Sequence, residues 1–329
     1  MFKIYVIKES INDATAFYID IIEAAILKSG AKFERINDIN GISNEDIVVT
    51  FGNRMFYRAR KRNPKYQINW FQGVSPEELR FSRMNYLKRF AYYLGQTFFE
   101  NYALKHGNLS LFVSNKMKEH YSKKYNFNGQ SFIMPCFNTE LNMDAFIDKY
   151  KKPTFVYTGN MAGWQCFDET AELFSLVKSN CPEAELTIYT KDSEDAKRIL
   201  EKYGVKAIIK YVPYSQLSDE LKNYKYGFLL RDDDIVNNVA TPTKMNSYLA
   251  NGIIPIYSNV IYAFRENLSN LKYSIPVTDK NQAIESILSF EKQVIEARDV
   301  LKDYQQVFNE YYSRDYYIEK LSKLFKNIK

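Results

Sequence analysis

The chain has 329 residues, 46% of them hydrophobic, with 27 Tyr, 23 Phe and a formal net charge of +6. That composition excludes a disordered or fibrous chain and is enough for two domains of roughly 150 residues each. No apolar run reaches the roughly 18–20 residues that span a bilayer. The separated cysteines Cys136, Cys166 and Cys181 argue for a reducing compartment and against a structural metal site.

The amino terminus enters a strand directly, Phe2–Ile7, with no signal-peptide pattern, so a cytoplasmic protein is expected. Asp13–Lys28 reads as a helix closed by Ser29-Gly30, and Lys32–Ile36 and Asp46–Phe51 as strands. Arg54–Arg62 reads as a short basic helix before Asn63-Pro64, and Tyr66–Phe71 as the next strand. Gln72–Glu78 is a turn and a helix start, with Ser75 at the N-cap, Pro76 at the first helical position and Glu77 and Glu78 in the acid-favouring first turn. A long helical region then runs to about His106-Gly107. The strand Leu109–Val113, the helix Asn115–Lys124 and the strand Ser131–Met134 complete this half.

The charge is unevenly placed. Residues 1–150 hold 21 basic against 15 acidic residues, while the remainder is neutral. Arg54–Arg89 alone has ten basic residues against Glu77 and Glu78, interleaved with aromatics such as Tyr57, Trp70, Phe81 and Phe90. Such a surface suits anionic lipid, nucleic acid or a phosphorylated substrate. A solvated basic helix face fits it equally.

The second half repeats the alternation. Thr154–Tyr157, Glu185–Tyr189, Ala207–Tyr211, Gly227–Leu230, Ile253–Tyr257 and Tyr273–Pro276 read as strands. Asp168–Lys178, Ser193–Tyr203, Ser215–Asn223, Pro242–Asn251, Tyr262–Leu268 and Gln282–Phe290 read as the helices between and after them. Two such series predict an α/β protein of two doubly wound, Rossmann-like domains facing a cleft. The domains are expected over 1–150 and 151–300, with helices in a tail, 301–329, crossing back over both.

Tyr226–Gly252 is the stretch around which the second series is organised. An apolar strand ends at Arg231 and Asp232–Asp234, a polar loop holds Asn237 and Asn238, and a helix starts at Thr241-Pro242-Thr243-Lys244. Thr241 suits the N-cap and Pro242 the first helical position. A helix that starts past the carboxyl end of a parallel strand aims N–H groups and a positive dipole end at an anion. Lys244 is unfavourable for that dipole; a bound diphosphate explains it, and so does an ordinary solvated position.

Four stretches, in this order, resemble GT-B glycosyltransferases, specifically the family 4-like enzymes of bacterial capsule, O-antigen and exopolysaccharide assembly. They are Gln72–Glu78 (QGVSPEE), Phe112–Ser114 with Ile133–Asn138, Phe155–Asn160 with Gly163-Trp164-Gln165, and Arg231–Gly252. The resemblance implies a GT-B fold, with a nucleoside-diphosphate sugar held by the carboxy-terminal domain and an acceptor by the amino-terminal one. It places Gly159 and Asn160 near the diphosphate and gives Thr241, Thr243 and Lys244 the phosphates. Arg231 and Asp232 would reach the diphosphate and the sugar hydroxyls, although Asp232 also fits a solvated loop. Many members carry paired glutamates eight positions apart, which Val239 and Ser247 replace here. Ser247 could still bond a ribose hydroxyl, with Asn238 or Asn246 as substitutes. The loop histidine of the family is matched by Gln72.

No side chain is an obvious general base. Asp13, Glu77 and Glu78 are candidates, and Glu77 and Glu78 are also explained as helix-terminal acids. Retaining transfer, in which the leaving phosphate takes the acceptor proton, fits that absence. The reading is therefore a metal-independent, cofactor-free glycosyltransferase of bacterial surface polysaccharide synthesis, its catalytic residues Lys244, Arg231, Asp232 and Glu77. Its donor site is Gly159, Asn160, Asn238, Thr241, Thr243, Lys244 and Ser247. Its acceptor, a glycan that could be lipid-linked, meets Asp13, Gln72, Arg58 and Arg62. Peripheral contact with the inner face of the plasma membrane through Arg54–Arg89 is expected, and nucleic acid is not. A GT-B sugar-nucleotide epimerase and a non-catalytic partner subunit or sugar-nucleotide-binding module are the alternatives.

Overall fold

A computed structural model describes the backbone of residues 1–6 and 13–328 and the side chains of residues 1–6 and 15–328. The chain forms two compact units. The first comprises Met1–Asn138, Asn238–Thr241 and Ser313–Lys329; the second comprises Thr139–Asn237 and Pro242–Tyr312. The boundary expected at residue 150 thus falls at Asn138–Thr139, and the final helix belongs to the first unit.

The first unit holds strands β1 (Phe2–Tyr5), β2 (Phe33–Ile36), β3 (Ile47–Thr50), β4 (Tyr66–Phe71), β5 (Leu109–Phe112) and β6 (Ser131–Ile133). They form one sheet in the order β2-β1-β3-β4-β5-β6, every pair parallel. Its helices are α1 (Asp13–Lys28), α2 (Asn53–Arg60), α3 (Ser75–Glu78), α4 (Tyr86–His106), α5 (Asn115–Tyr125) and, at the end of the chain, α14 (Arg314–Lys326). The inner strands β1, β3, β4 and β5 are largely buried on both faces, as parallel strands covered by helices must be. Tyr18 of α1 stacks on Trp70 of β4 at 3.6 Å, and its hydroxyl donates to the Met134 carbonyl at 2.8 Å.

Two expectations here fail locally. The helical region after Ser75 is not continuous: α3 gives way to a tight turn, Leu79–Phe81, and the chain leaves helix at Ser82–Asn85. Asn85 then caps α4, its side chain accepting from Lys88 N at 2.9 Å. Ser75 is not the cap of α3 either, since Val74 precedes the helix and Ser75 lies inside it.

The second unit holds β7 (Thr154–Thr158), β8 (Glu185–Tyr189), β9 (Ile208–Lys210), β10 (Tyr226–Leu229), β11 (Ile254–Ser258) and β12 (Ile275–Val277). Its sheet is also parallel throughout, in the order β12-β11-β10-β7-β8-β9. The helices are α6 (Phe167–Asn180), α7 (Ser193–Lys202), α8 (Tyr214–Leu221), α9 (Ile235–Val239), α10 (Thr243–Ala250), α11 (Tyr262–Asn267), α12 (Lys280–Glu291) and α13 (Ala297–Glu310). α9 occupies part of the loop expected to be irregular. Asp234 starts it by accepting from Val236 N at 2.7 Å. From β7 the chain proceeds to β8 and β9, returns to β10 and continues the other way. The direction therefore reverses between β7 and β10, and ligands of such sheets bind beyond the carboxyl ends at that point.

Candidate active site

The site is built on β7, β10 and α10. Gly227 in β10 has no side chain because a Cβ there would lie 2.7 Å from the Tyr248 ring and 2.9 Å from Ile253. That close approach lets α10 settle on the sheet. Tyr248 fixes it: its buried hydroxyl donates to the Phe228 carbonyl at 3.1 Å and accepts from Thr158 N at 3.3 Å. The first turn of α10 is thereby held at the carboxyl ends of β7 and β10, carrying Lys244.

Lys244 extends to the turn after β7. Its Nζ donates to Gln165 Oε1 at 2.6 Å and sits 4.3 Å from the centroid of the Tyr157 ring. Arg231, just past β10 and 7% exposed, donates to the same Gln165 Oε1 at 2.8 Å through Nη2. Its Nη1 donates to the carbonyls of Gln165 and Leu230 at 3.0 and 2.8 Å. Gly159 closes the site with φ +142°, and its N–H donates to the Tyr189 carbonyl at 3.0 Å.

Among the described residues neither Arg231 nor Lys244 has a carboxylate partner. Two unit charges about 4–5 Å apart repel by roughly 3–4 kcal/mol at an effective dielectric of about 20, before any desolvation. A hydrogen bond to a charged group returns about 1.5–3 kcal/mol, so the Gln165 and Leu230 oxygens can offset the repulsion, but all of them are neutral and none supplies a counter-charge. Burial, and then the Arg231 guanidinium, push Lys244 well below the ordinary lysine range; burial also lowers Arg231. An anion bridging both cations would reverse those shifts. In this structure the position between the two side chains is taken by a neutral amide oxygen, Gln165 Oε1.

Of the expected donor residues, Gly159 and Lys244 meet here together with Arg231. Thr243 opens α10 and is half-buried. Thr241 is not the cap expected: Pro242 takes the N-cap position, and Thr241 Oγ1 accepts from Cys136 N at 2.9 Å within the first unit. Asn238 is half-buried and belongs to the first unit, where the Val239 carbonyl accepts from Ser114 Oγ at 2.6 Å. Asn160 is exposed, its Oδ1 accepting from Ala162 N at 3.2 Å. Ser247 is buried, 3.4 Å from Thr139 Oγ1. The Asn246 amide is committed to Thr139, accepting from its N and donating to its carbonyl at 2.9 Å each, so it is not free for a ribose. Asp232 is exposed; its backbone N–H meets Cys166 Sγ at 3.2 Å.

The expected acceptor residues lie in the first unit. Gln72, Arg58 and Arg62 are exposed, and Arg62 Nε donates to the Ile42 carbonyl at 3.4 Å. Asp13 begins α1, but its side chain lies outside the described residues. Glu77 is tied up: Oε1 takes Lys124 Nζ at 2.7 Å and His120 Nε2 at 3.1 Å. Burial opposes ionisation, yet those two bonds hold its carboxyl below the ordinary range, which makes it a weak base. Behind it, fully buried Glu100 accepts from Lys124 Nζ at 2.8 Å, Tyr125 OH at 2.8 Å and Tyr121 OH at 3.0 Å. Sequence reasoning missed this cluster and the bridging role of Gln165, which it quoted only as part of a glycine turn. Among the described residues no three His, Cys, Asp or Glu side chains are grouped to hold a metal ion, and no helix is long and apolar enough to cross a membrane.

No protein-family model matches the chain, and no curated protein sequence matches it. Solved structures do. Sucrose-phosphate synthase from Thermosynechococcus elongatus superposes with a TM-score of 0.70 at 11% identity, covering 99% of this chain and 98% of its own. S. aureus TarM, in complex with Fondaparinux, alpha-GlcNAc-glycerol and UDP, gives 0.65 at 13% identity, covering 86% of this chain and 56% of its own. The chain thus spans little more than half of TarM. An E. coli structure described as trehalose-6-phosphate bound with UDP-2-fluoro glucose gives 0.61 at 10%, covering 94% and 78%. These likenesses show the fold: two parallel six-stranded sheets with flanking helices, the α/β, GT-B class expected from the sequence.

Proposed function

We propose that the chain is a glycosyltransferase that moves a sugar from a nucleoside-diphosphate sugar to a glycan acceptor. The observation that carries this reading is the Arg231–Lys244 pair, a buried and a half-buried basic side chain sharing one neutral oxygen beside Gly159. A diphosphate supplies the missing charge, and the amino-terminal turn of α10 faces it with free dipole. UDP, present in the TarM structure and as UDP-2-fluoro glucose in the E. coli one, is the nucleotide to try first.

As the bond between sugar and diphosphate breaks, negative charge grows on the departing phosphate. Lys244 and Arg231 neutralise it from fixed positions, the electrostatic work on which such a transfer depends. In this reading they make a metal ion or other cofactor unnecessary. The acceptor oxygen bonds to the sugar carbon and its proton passes to the departing phosphate oxygen, giving a retaining reaction. Glu77, already held by Lys124 and His120, supports that route because it is poorly suited to remove a proton. In this reading Asp232, Asn160, Thr243 and Ser247 complete the donor side and Asp13, Gln72, Arg58 and Arg62 the acceptor side, whereas Asn238 and Thr241 belong to the first unit. The setting we infer is bacterial surface polysaccharide or capsule synthesis, on a glycan or lipid-linked acceptor at the cytoplasmic membrane face, with Arg54–Arg89 in contact with anionic lipid. Val239 and Ser247, in place of an acid pair, favour one second reading: a module that binds a sugar nucleotide without transferring it.

The test is chromatography of UDP-sugars incubated with the protein in chelator, with and without acceptor glycans. Acceptor-dependent UDP release by the wild type and not by Lys244→Ala supports transfer. Conversion of one UDP-sugar to another without acceptor indicates an epimerase, and binding without turnover indicates the module.

A further inference from the structure

We propose that the amino-terminal half of α4, Tyr86–Phe98, is a docking helix that lies in the interface of an anionic bilayer with its apolar face inserted. Seven of the 17 large hydrophobic side chains exposed among the described residues fall within these 13 positions. At 3.6 residues per turn, Tyr86, Phe90, Leu94 and Phe98 follow one another down one side, with Leu87 beside them. They are 69%, 52%, 53%, 52% and 79% exposed. Lys88 and Arg89 lie across the helix from that side. The other half of the same helix is packed in the ordinary way, starting at one edge of Phe98: Tyr57 of α2 meets Phe98 at 5.7 Å, Phe99 at 5.3 Å and Tyr102 at 5.0 Å, and Glu100, Ala103 and Leu104 are buried. A contiguous apolar face of this size, left uncovered beside a packed half, marks an interaction surface.

Charge decides what covers it. The Arg54–Arg89 stretch that leads into this helix has ten basic residues against two acidic. A second copy docked on the same face would bring two such stretches together and repel. Nucleic acid would satisfy the charge but leave Leu87 and Leu94 in water. An anionic leaflet satisfies both, with phosphates for the basic residues, acyl chains for Leu87, Phe90 and Leu94, and the headgroup boundary for Tyr86 and Tyr93. The helix lies in the plane of the interface, since none among the described residues is long and apolar enough to span. Membrane contact belongs to the proposed function, but insertion is new and is read without any sugar transfer, so the two readings fail separately.

The experiment is flotation of the full chain with phosphatidylcholine vesicles, with and without phosphatidylglycerol, at low and high salt. Wild type is expected to float with the anionic vesicles and to keep part of that binding at high salt. Leu87→Ser/Phe90→Ser/Leu94→Ser, which keeps every charge, should bind roughly tenfold or more weakly with an unchanged melting temperature. In a separate Phe90→Trp variant, vesicles should shift the emission to the blue. Absence of vesicle binding by wild type overturns the proposal, as does equal binding by the triple variant or complete loss at high salt, which mean charge adsorption alone. A wild-type dimer that ignores vesicles and dissociates in the triple variant overturns it in favour of a second copy.

Discussion

Lys244 occupies the space that a side chain on residue 159 would need. A Cβ on Gly159 would lie 2.6 Å from Lys244 Nζ and 2.9 Å from its Cε. The backbone there, at φ +142°, is also one that side-chain-bearing residues rarely adopt. Gly159→Ala should therefore destabilise the fold by about 1–3 kcal/mol and displace the ammonium from the site. Urea denaturation reads the first effect and loss of the UDP-induced rise in melting temperature reads the second. A variant that binds UDP as well as wild type would show that Lys244 does not need its present position.

Gln165 presents one neutral oxygen to both cations, at 2.6 and 2.8 Å. Gln165→Glu places a carboxylate there at the same length. The free protein should melt higher, because the cation pair now has an internal counter-charge, and UDP should bind roughly tenfold or more weakly, since it must displace that charge. Thermal melting and calorimetric titration together check both directions. If the variant melts lower and binds UDP equally, the shared oxygen is not the anion position.

Much of this was legible in the sequence, and for identifiable reasons. The strands are short apolar runs bounded by turn residues, so Tyr66–Phe71 and Glu185–Tyr189 have the bounds their composition predicts. Arg231, Gly159 and Lys244, each expected near a diphosphate, lie together around Gln165. Thr241 was misplaced because capping preference is local, whereas its hydroxyl is used by Cys136, 105 residues earlier in the chain. Gln165 carries no local signal at all. Its importance comes from two charges on distant segments that converge only when β10 pairs with β7. Glu100 is hidden in the same way: a glutamate in mid-helix reads as solvent-facing, and only the fold brings Lys124 to it.

Lys149 is 9% exposed and its Nζ donates to the Asn251 carbonyl. Burial pushes it down to about 7 from the ordinary 10.5. Between those values the unfolded chain holds a proton that the folded chain lacks, so stability rises with pH through that window. The contribution is lost as pH falls to about 7 and is flat below. Lys149→Met removes the titration. The stability difference between wild type and variant should change by up to roughly 1.4 kcal/mol per pH unit between about pH 7.5 and 9.5, read from urea midpoints. Parallel curves would mean that Lys149 keeps its proton when folded.

The cluster behind Glu77 should be fragile to loss of its cation. Lys124 bonds both Glu77 and the fully buried Glu100, whose carboxyl burial raises above the ordinary range. Lys124→Met strands that charge and should destabilise the first unit by about 3–5 kcal/mol. Adding Glu100→Gln should recover part of the loss, since the amide can still meet Tyr121 and Tyr125. A Lys124→Met effect below about 1 kcal/mol, in the surface-pair range, would contradict the burial of the pair.

The central claim is that Arg231 and Lys244 form a diphosphate site, and calorimetric titration of UDP in chelator tests it most directly. Wild type should bind, with proton uptake that appears as pH rises toward the ordinary lysine range, because a bound anion opposes the lowering that burial and Arg231 impose on Lys244. Repeating the titration in buffers of different ionisation enthalpy reads that proton. Lys244→Ala should bind at least roughly tenfold more weakly with no proton uptake. Equal affinity and equal proton uptake in the two proteins would place the diphosphate elsewhere and contradict the account.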